Sequence, residues 1–343
     1  MLTGWVHARV GVAMVASIAI LGACSSNSAS SPTKSTQSPS TSQRASAVST
    51  PAAGSTTGCT SAVAAGNVVL TPKIDGHTRT VRVHVPNSAA AGKRTPLVLN
   101  LHGSGSTAKG QEALTGMDAA ANKHDFVVAY PQALIPNGKG FDWNVPGVPL
   151  IGGEAVPAGS ADDITFITSL VRLLEQSYCI DTSRVYSTGF SGGARLTSQL
   201  GCDTSDVFAA IAPVSGLRYP SPCSSPAAVP VITFHGSADP VDPFNGNGQA
   251  YWAYSVPDAA SRWAAHDGCN PASKHQTSTI LEYTRCRGGA QVILHIVPGE
   301  GHDWPGGPPL PASYTRVAGP QSNAINANNT MWAFFAHYSL PQS

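Results

Sequence analysis

The sequence predicts an α/β fold, a mostly parallel sheet with helices on both faces. Three observations predict it. Continuous apolar runs such as Pro96-Leu97-Val98-Leu99-Asn100-Leu101 and Val231-Ile232-Thr233-Phe234 lack the alternation of a half-solvated strand, so both faces of each must be buried. Amphipathic stretches of helical length separate these runs, as crossovers between parallel strands require. Polar, glycine-rich segments follow the runs at the strands' carboxyl ends, where such a sheet collects its functional loops.

Taken in order, residues 1–23 read as an export signal. Arg9 precedes an apolar run over 10–21 that is too short to span a bilayer and is followed by small residues. Leu21-Gly22-Ala23-Cys24 resembles the bacterial lipobox, in which Cys24 would carry lipid and hold the protein on a membrane surface; the alternative is an ordinary signal with an incidental cysteine. Residues 24–57, almost all Ser, Thr, Ala, Pro, Gly and Gln, cannot bury enough apolar surface to fold. They are expected to form a tether with an r.m.s. span of about 30 Å.

Residues 58–343 then form one domain, opening with β-like runs at 68–71 and 80–85 on either side of the turn signal Asp75-Gly76. A buried strand at 96–101, a helix over 111–123, a strand at 126–130 and a helix over 164–177, capped by Asp162 or Asp163, come next. The run Arg184-Val185-Tyr186-Ser187-Thr188 reads as a strand and 194–200 as a helix, followed by strands at 208–214 and 231–234, a helix over 259–266, a strand at 292–297 and a final helix over 324–336.

Charged residues are only 11% of the chain and the net charge is +1, which gives no basic footprint for nucleic acid. Apart from Cys24 there are six cysteines, Cys59, Cys179, Cys202, Cys223, Cys269 and Cys286, an even number that favours disulfides in an exported chain. Fifteen pairings are possible. The expected set joins neighbours, Cys202 with Cys223 and Cys269 with Cys286, leaving Cys59 with Cys179. With no CxxC and no HExxH, a structural or catalytic zinc site is not expected.

Between the strand at 184–188 and the following helix lies Gly189-Phe190-Ser191-Gly192-Gly193. Small residues flank a serine in a strand–turn–helix context, the setting of a nucleophile elbow. His235-Gly236-Ser237-Ala238-Asp239 and Gly301-His302-Asp303-Trp304 follow later strands. Nucleophile, acid and histidine thus fall in the order Ser191, Asp239, His302, the chain order of an α/β-hydrolase. Each type has a reason: serine needs an imidazole to take its proton, and the imidazole needs a carboxylate to orient it and stabilise its cation. The oxyanion formed on attack needs fixed donors, expected from the N–H of Gly192 and from the His102-Gly103-Ser104 loop. Asp242 is the rival acid. His266, His275 and His295 are the rival histidines, while His102 and His235 read as supporting groups.

Leu101-His102-Gly103, Asp162-Asp163, Arg184-Val185-Tyr186, the elbow, Phe208-Ala209-Ala210-Ile211-Ala212-Pro213-Val214, Phe234 to Asp239 and Gly301-His302-Asp303-Trp304-Pro305-Gly306 together resemble the secreted polyhydroxybutyrate depolymerase and feruloyl esterase family from Gly58 onward. The resemblance implies an α/β-hydrolase fold and a cofactor-free serine esterase, with Ser191, Asp239 and His302 matching the family's triad and Ser104 its second oxyanion donor. With lipobox and tether, the chain resembles actinobacterial lipoprotein members. Two departures stand out: Asp303 where Thr is frequent, and a segment over 141–159 lacking the cysteine often beside its tryptophan. Trp143 and Trp304 are expected at the pocket mouth, stacking on a planar acyl group or a sugar. The function expected is hydrolysis of feruloyl or acetyl esters of plant polysaccharides, with polymeric or polymer-derived substrates. A polyhydroxyalkanoate depolymerase is the enzymatic alternative, a peptidase is a weaker one, and a binding protein on an inactive hydrolase scaffold is the alternative from another class.

Overall fold

The structure, a computed structural model, describes residues 64–90 and 93–341. The expected export signal, Cys24, the expected tether and Cys59 lie outside those residues.

Ten strands form one sheet in the order Gly66–Leu70, Val81–Val85, Val127–Pro131, Thr95–Leu101, Ile180–Phe190, Ala210–Val214, Val231–Gly236, Val292–Val297, Ile280–Tyr283 and His275–Gln276. The six from Val127–Pro131 to Val292–Val297 run parallel, and two antiparallel strands finish each edge. The expectation of a mostly parallel sheet holds, and its cause is visible in Thr95–Leu101, where every residue is buried. Leu97, Leu99 and Leu101 enter one core with Phe166, Ile167 and Leu170 of the helix Asp163–Ser177, while Val98 enters a second core with Tyr186 and Phe335. Burial of one such leucine is worth roughly 1.5–3 kcal/mol, and truncating it to alanine costs about 2–5 kcal/mol.

The helix expected over 111–123 is two helices, Ala108–Thr115 and Met117–His124. Gly116 breaks it by taking φ 54°, a left-handed conformation in which its N–H still bonds Glu112 O. The Thr115 carbonyl left over accepts from the Asn328 side chain at 2.8 Å. Of the two capping candidates, Asp162 accepts from the N–H groups of Ile164 and Thr165, whereas Asp163 accepts from Arg79 at 2.7 Å and from Asn144 N at 2.8 Å. The sequence reading contained no strand at Ile280–Tyr283 and no helix at Ala312–Ala318; both are present.

Disulfides join Cys202 to Cys223 and Cys269 to Cys286. Cys179 is also disulfide-bonded, and Cys59, the partner expected for it, is outside the described residues.

Candidate active site

The strand Ile180–Phe190 turns into the helix Gly192–Asp203 through Ser191, whose φ of 53° and ψ of −115° are strained for a residue with a side chain. The flanking glycines permit the turn. A Cβ on Gly189 would come within 2.7 Å of Gly193 C, and one on Gly193 within 2.3 Å of Leu101 O. Ser191 therefore sits at the N-terminus of a twelve-residue helix, where the aligned peptide dipoles favour negative charge.

The expected oxyanion donors meet at this point. A Cβ on Gly192 would be 3.1 Å from Ser104 N, so the two backbone N–H groups are neighbours, and neither has an acceptor among the described residues. The loop carrying Ser104 is fastened from behind: Trp143 Nε1 donates to His102 O at 2.7 Å, and His102 Nδ1 donates to Gly103 O while its Nε2 accepts from Ala133 N. Burial pushes the His102 imidazole down to about 4, so it is a neutral brace.

After the strand Val231–Gly236, Asp239 divides its carboxylate between two tasks. Oδ1 accepts from the N–H groups of Val241 and Asp242, each at 2.8 Å, and Oδ2 accepts from His302 Nδ1 at 2.7 Å. Burial alone would raise the Asp239 pKa, but the charge and hydrogen bond of His302 outweigh it and hold the group below the usual carboxylate range. For His302 burial acts downward, and Asp239 outweighs it to raise the imidazole. The ring packs 4.7 Å from the ring of Phe190, next to Ser191. Ser191 Oγ makes no hydrogen bond to it among the described residues, a contact that in ligand-free sites often tightens only with substrate.

Asp242, the rival acid, is committed elsewhere. Both its oxygens accept from Arg195 Nη2, at 2.6 and 2.7 Å, in a fully buried pair. His235 lies behind the acid, its Nε2 2.8 Å from Asp242 O and 3.3 Å from Asp239 Oδ2. The histidine loop is held by Tyr314, whose hydroxyl donates to His302 O at 3.1 Å, and by Ser215, which donates to Asp303 O at 3.0 Å. Asp303 is buried and pushed up to about 6 by that burial. Glu300, fully buried with both carboxyl oxygens unpartnered among the described residues, is pushed up to about 8 by burial and then by Asp303 and Asp239.

Trp304 does not stand at the pocket mouth. Its side chain is fully buried in the core, with Nε1 donating to Asn328 Oδ1 at 2.8 Å, because the residue after Asp303 turns toward the final helix rather than toward solvent. Trp143 is only 3% exposed but lines a cavity with Ser104 and Gly192, to whose wall Val145 and Val148 to Ile151 also contribute. Arg195 lines it too, and the sequence reading missed it. The available signal was an arginine one turn past the elbow in a helix buried from Gly192 to Cys202. Among the described residues, no group of three or more His, Cys, Asp or Glu side chains is arranged to hold a metal ion.

The esterase PHB depolymerase family model matches residues 80–255, just over half of the 343-residue chain. The chain belongs to that family. It is 28% identical over 238 residues to feruloyl esterase B of Piromyces equi, a match covering 65% of this chain and 42% of that protein. It is 32% identical over 208 residues to poly(3-hydroxyalkanoate) depolymerase C of Paucimonas lemoignei, covering 60% and 48%. The chain thus spans under half the length of these two relatives. Among solved structures, acetyl xylan esterase from Aspergillus awamori superposes with a TM-score of 0.51 at 18% identity over 74% of this chain and 99% of that one. The α/β-hydrolase fold is common to the two.

Proposed function

We propose that this family member is an exported serine esterase that cleaves carboxylic esters through an acyl-enzyme on Ser191, acting on feruloyl or acetyl esters of plant polysaccharides. The observation that carries the reading is the 2.7 Å contact between His302 and Asp239, on a loop packed against the elbow, while the competing acid is spent on Arg195. His302 Nε2 takes the Ser191 proton as Oγ attacks the ester carbonyl, and Asp239 steadies the imidazolium. Charge developing on the carbonyl oxygen falls to the N–H groups of Ser104 and Gly192, helped by the helix N-terminus. His302 then protonates the leaving alkoxide, and water repeats the sequence to release the acid.

Export is supported by the disulfides, which persist in oxidising compartments, and attachment through Cys24 is part of the proposal. The likeness to a poly(3-hydroxyalkanoate) depolymerase supports a second reading, hydrolysis of hydroxyalkanoate polyesters. Methyl ferulate, acetylated xylan and a soluble hydroxybutyrate oligomer separate the readings by kcat/KM. Preference for the oligomer would move the assignment to polyesters, and inactivity on all three and on p-nitrophenyl acetate would refute the esterase.

A further inference from the structure

Arg195 carries more hydrogen-bonding capacity than its partner uses. Nη2 alone serves Asp242; Nε is inaccessible and has no partner among the described residues, and Nη1, the remaining nitrogen, has no hydrogen-bond partner among them either. A buried guanidinium with an idle donor carries a desolvation cost that some acceptor should offset. The residue is 3% exposed, with the rings of Tyr251 and Trp252 lying 5.5 and 5.6 Å from its guanidinium carbon. Its open side is the cavity it lines together with Ser104, Gly192 and Trp143. That cavity has about 10 Å³ open to the centre of a water molecule, which is room for about one oxygen-sized group. The other charged side chain lining it, Asp142, has its carboxylate filled by Gly105 N and Asn137 Nδ2. Arg218, also near Arg195, has Asp203 near it to balance its own charge.

The geometry points to Arg195 as a specificity-determining residue that reads a neutral acceptor oxygen on the acyl chain, a hydroxyl, ether or carbonyl oxygen a few bonds beyond the ester carbon. The reasoning rests on the esterase reading. Ser104 and Gly192 hold the oxyanion at one wall of the cavity, so the space left beside the guanidinium seats a single oxygen of the acyl chain of the same ester. The oxygen is a neutral one because Asp242 already balances the charge. Arg195 also ties the Asp239 loop to the nucleophile's helix through Asp242, and a purely structural role of that kind would affect all esters alike.

The test compares acyl groups of matched shape, using the purified full chain. One pair is p-nitrophenyl methoxyacetate against p-nitrophenyl butyrate; the other is p-nitrophenyl levulinate against p-nitrophenyl 4-methylpentanoate. Each ratio of kcat/KM is divided by the ratio for hydroxide-catalysed hydrolysis, which removes intrinsic reactivity. For at least one pair the wild type should prefer the oxygen-bearing member by about 10- to 100-fold, as expected of a buried hydrogen bond to a charged donor. That preference should fall about tenfold or more in Arg195→Lys, whose single ammonium stays with Asp242, and in Arg195→Met/Asp242→Asn, which leaves no unpaired buried charge. Because each ratio is internal to one preparation, loss of folded protein cannot mimic the effect. Corrected ratios near one in the wild type overturn the proposal even if neither variant folds, and so does a preference that survives both substitutions. Butyrate hydrolysis without preference defeats the role of Arg195 alone. No hydrolysis of any of the four esters defeats the esterase reading and this inference with it.

Discussion

Replacing Glu300 with glutamine should make the protein progressively more stable than wild type as pH rises. The Glu300 side chain is fully buried, both its oxygens lack partners among the described residues, and its pKa is lifted from 4.5 to about 8. A carboxyl raised in this way binds its proton more tightly folded than unfolded. Between those two values the native state therefore holds more protons than the unfolded chain, and stability declines with increasing pH. At about 1.36 kcal/mol per pKa unit, the decline saturates above pH 8 at up to about 5 kcal/mol. Glutamine keeps the shape and cannot ionise. Near pH 5, where Glu300 is neutral in the native state, the two proteins should melt within a few degrees of each other, the amide being as short of partners as the acid. At pH 9 the variant should melt higher, by about 2–4 °C for each kcal/mol in a domain of this size. The assay is the melting temperature of both full chains at pH 5 to 9. A difference that stays constant across that range, or one that narrows as pH rises, would refute the reasoning, since only a group that ionises within the window can produce the slope.

Three further outcomes follow from the same contacts. Ser191→Ala should lower kcat on p-nitrophenyl acetate by about 10⁴-fold or more with its melting temperature kept, and a variant retaining half its activity would remove the nucleophile assignment. The two acids should separate cleanly: Asp239→Asn should cost about 10⁴-fold in kcat and move the acid limb of kcat/KM to lower pH, because the main group that opposes the burial of His302 is then gone, whereas Asp242→Asn should cost about 3–5 kcal/mol of stability by stranding Arg195. If Asp242→Asn proves the more damaging to kcat at full folding, the acid is misassigned. Removing the Cys269–Cys286 bridge, which spans 17 residues, should cost about 3 kcal/mol in denaturant titrations, and no change in midpoint would show that the loop is held by other contacts.

The parts of this fold that were legible in the sequence are those fixed by local chemistry. A strand buried on both faces has to be largely apolar, as Thr95–Leu101 is apart from Thr95 and Asn100, and a turn as tight as that at Ser191 has to be flanked by glycine; both leave a mark on the chain itself. The proposed triad members fall at strand ends, so their order could be read as well. What depends on the meeting of distant segments could not. Asp239 and Asp242 are alike in sequence, and only the arrival of His302 at one and Arg195 at the other separates them. Trp304 shares a loop with His302, yet its ring points to Asn328, 24 residues on. Ile280–Tyr283 buries only Leu281 and Tyr283, too short an alternation to stand out, and it becomes a strand by pairing with Val292–Val297. Glu300 reads as an ordinary acidic loop residue until the packing around it is known.

The edge strand Gly66–Leu70 runs in the same direction as the six parallel strands, because it is antiparallel to a strand that is itself antiparallel to them. Gly66 pairs with Val85, on the side where the parallel strands begin, while Ser191, Asp239 and His302 all follow the ends of their strands. The polypeptide thus enters the described domain through its floor and carries Ser191, Asp239 and His302 at its roof, some 17 Å away by the rise of a five-residue strand. A substrate approaching Ser191, Asp239 and His302 therefore comes to the end of the sheet opposite the one at which Gly66 enters it.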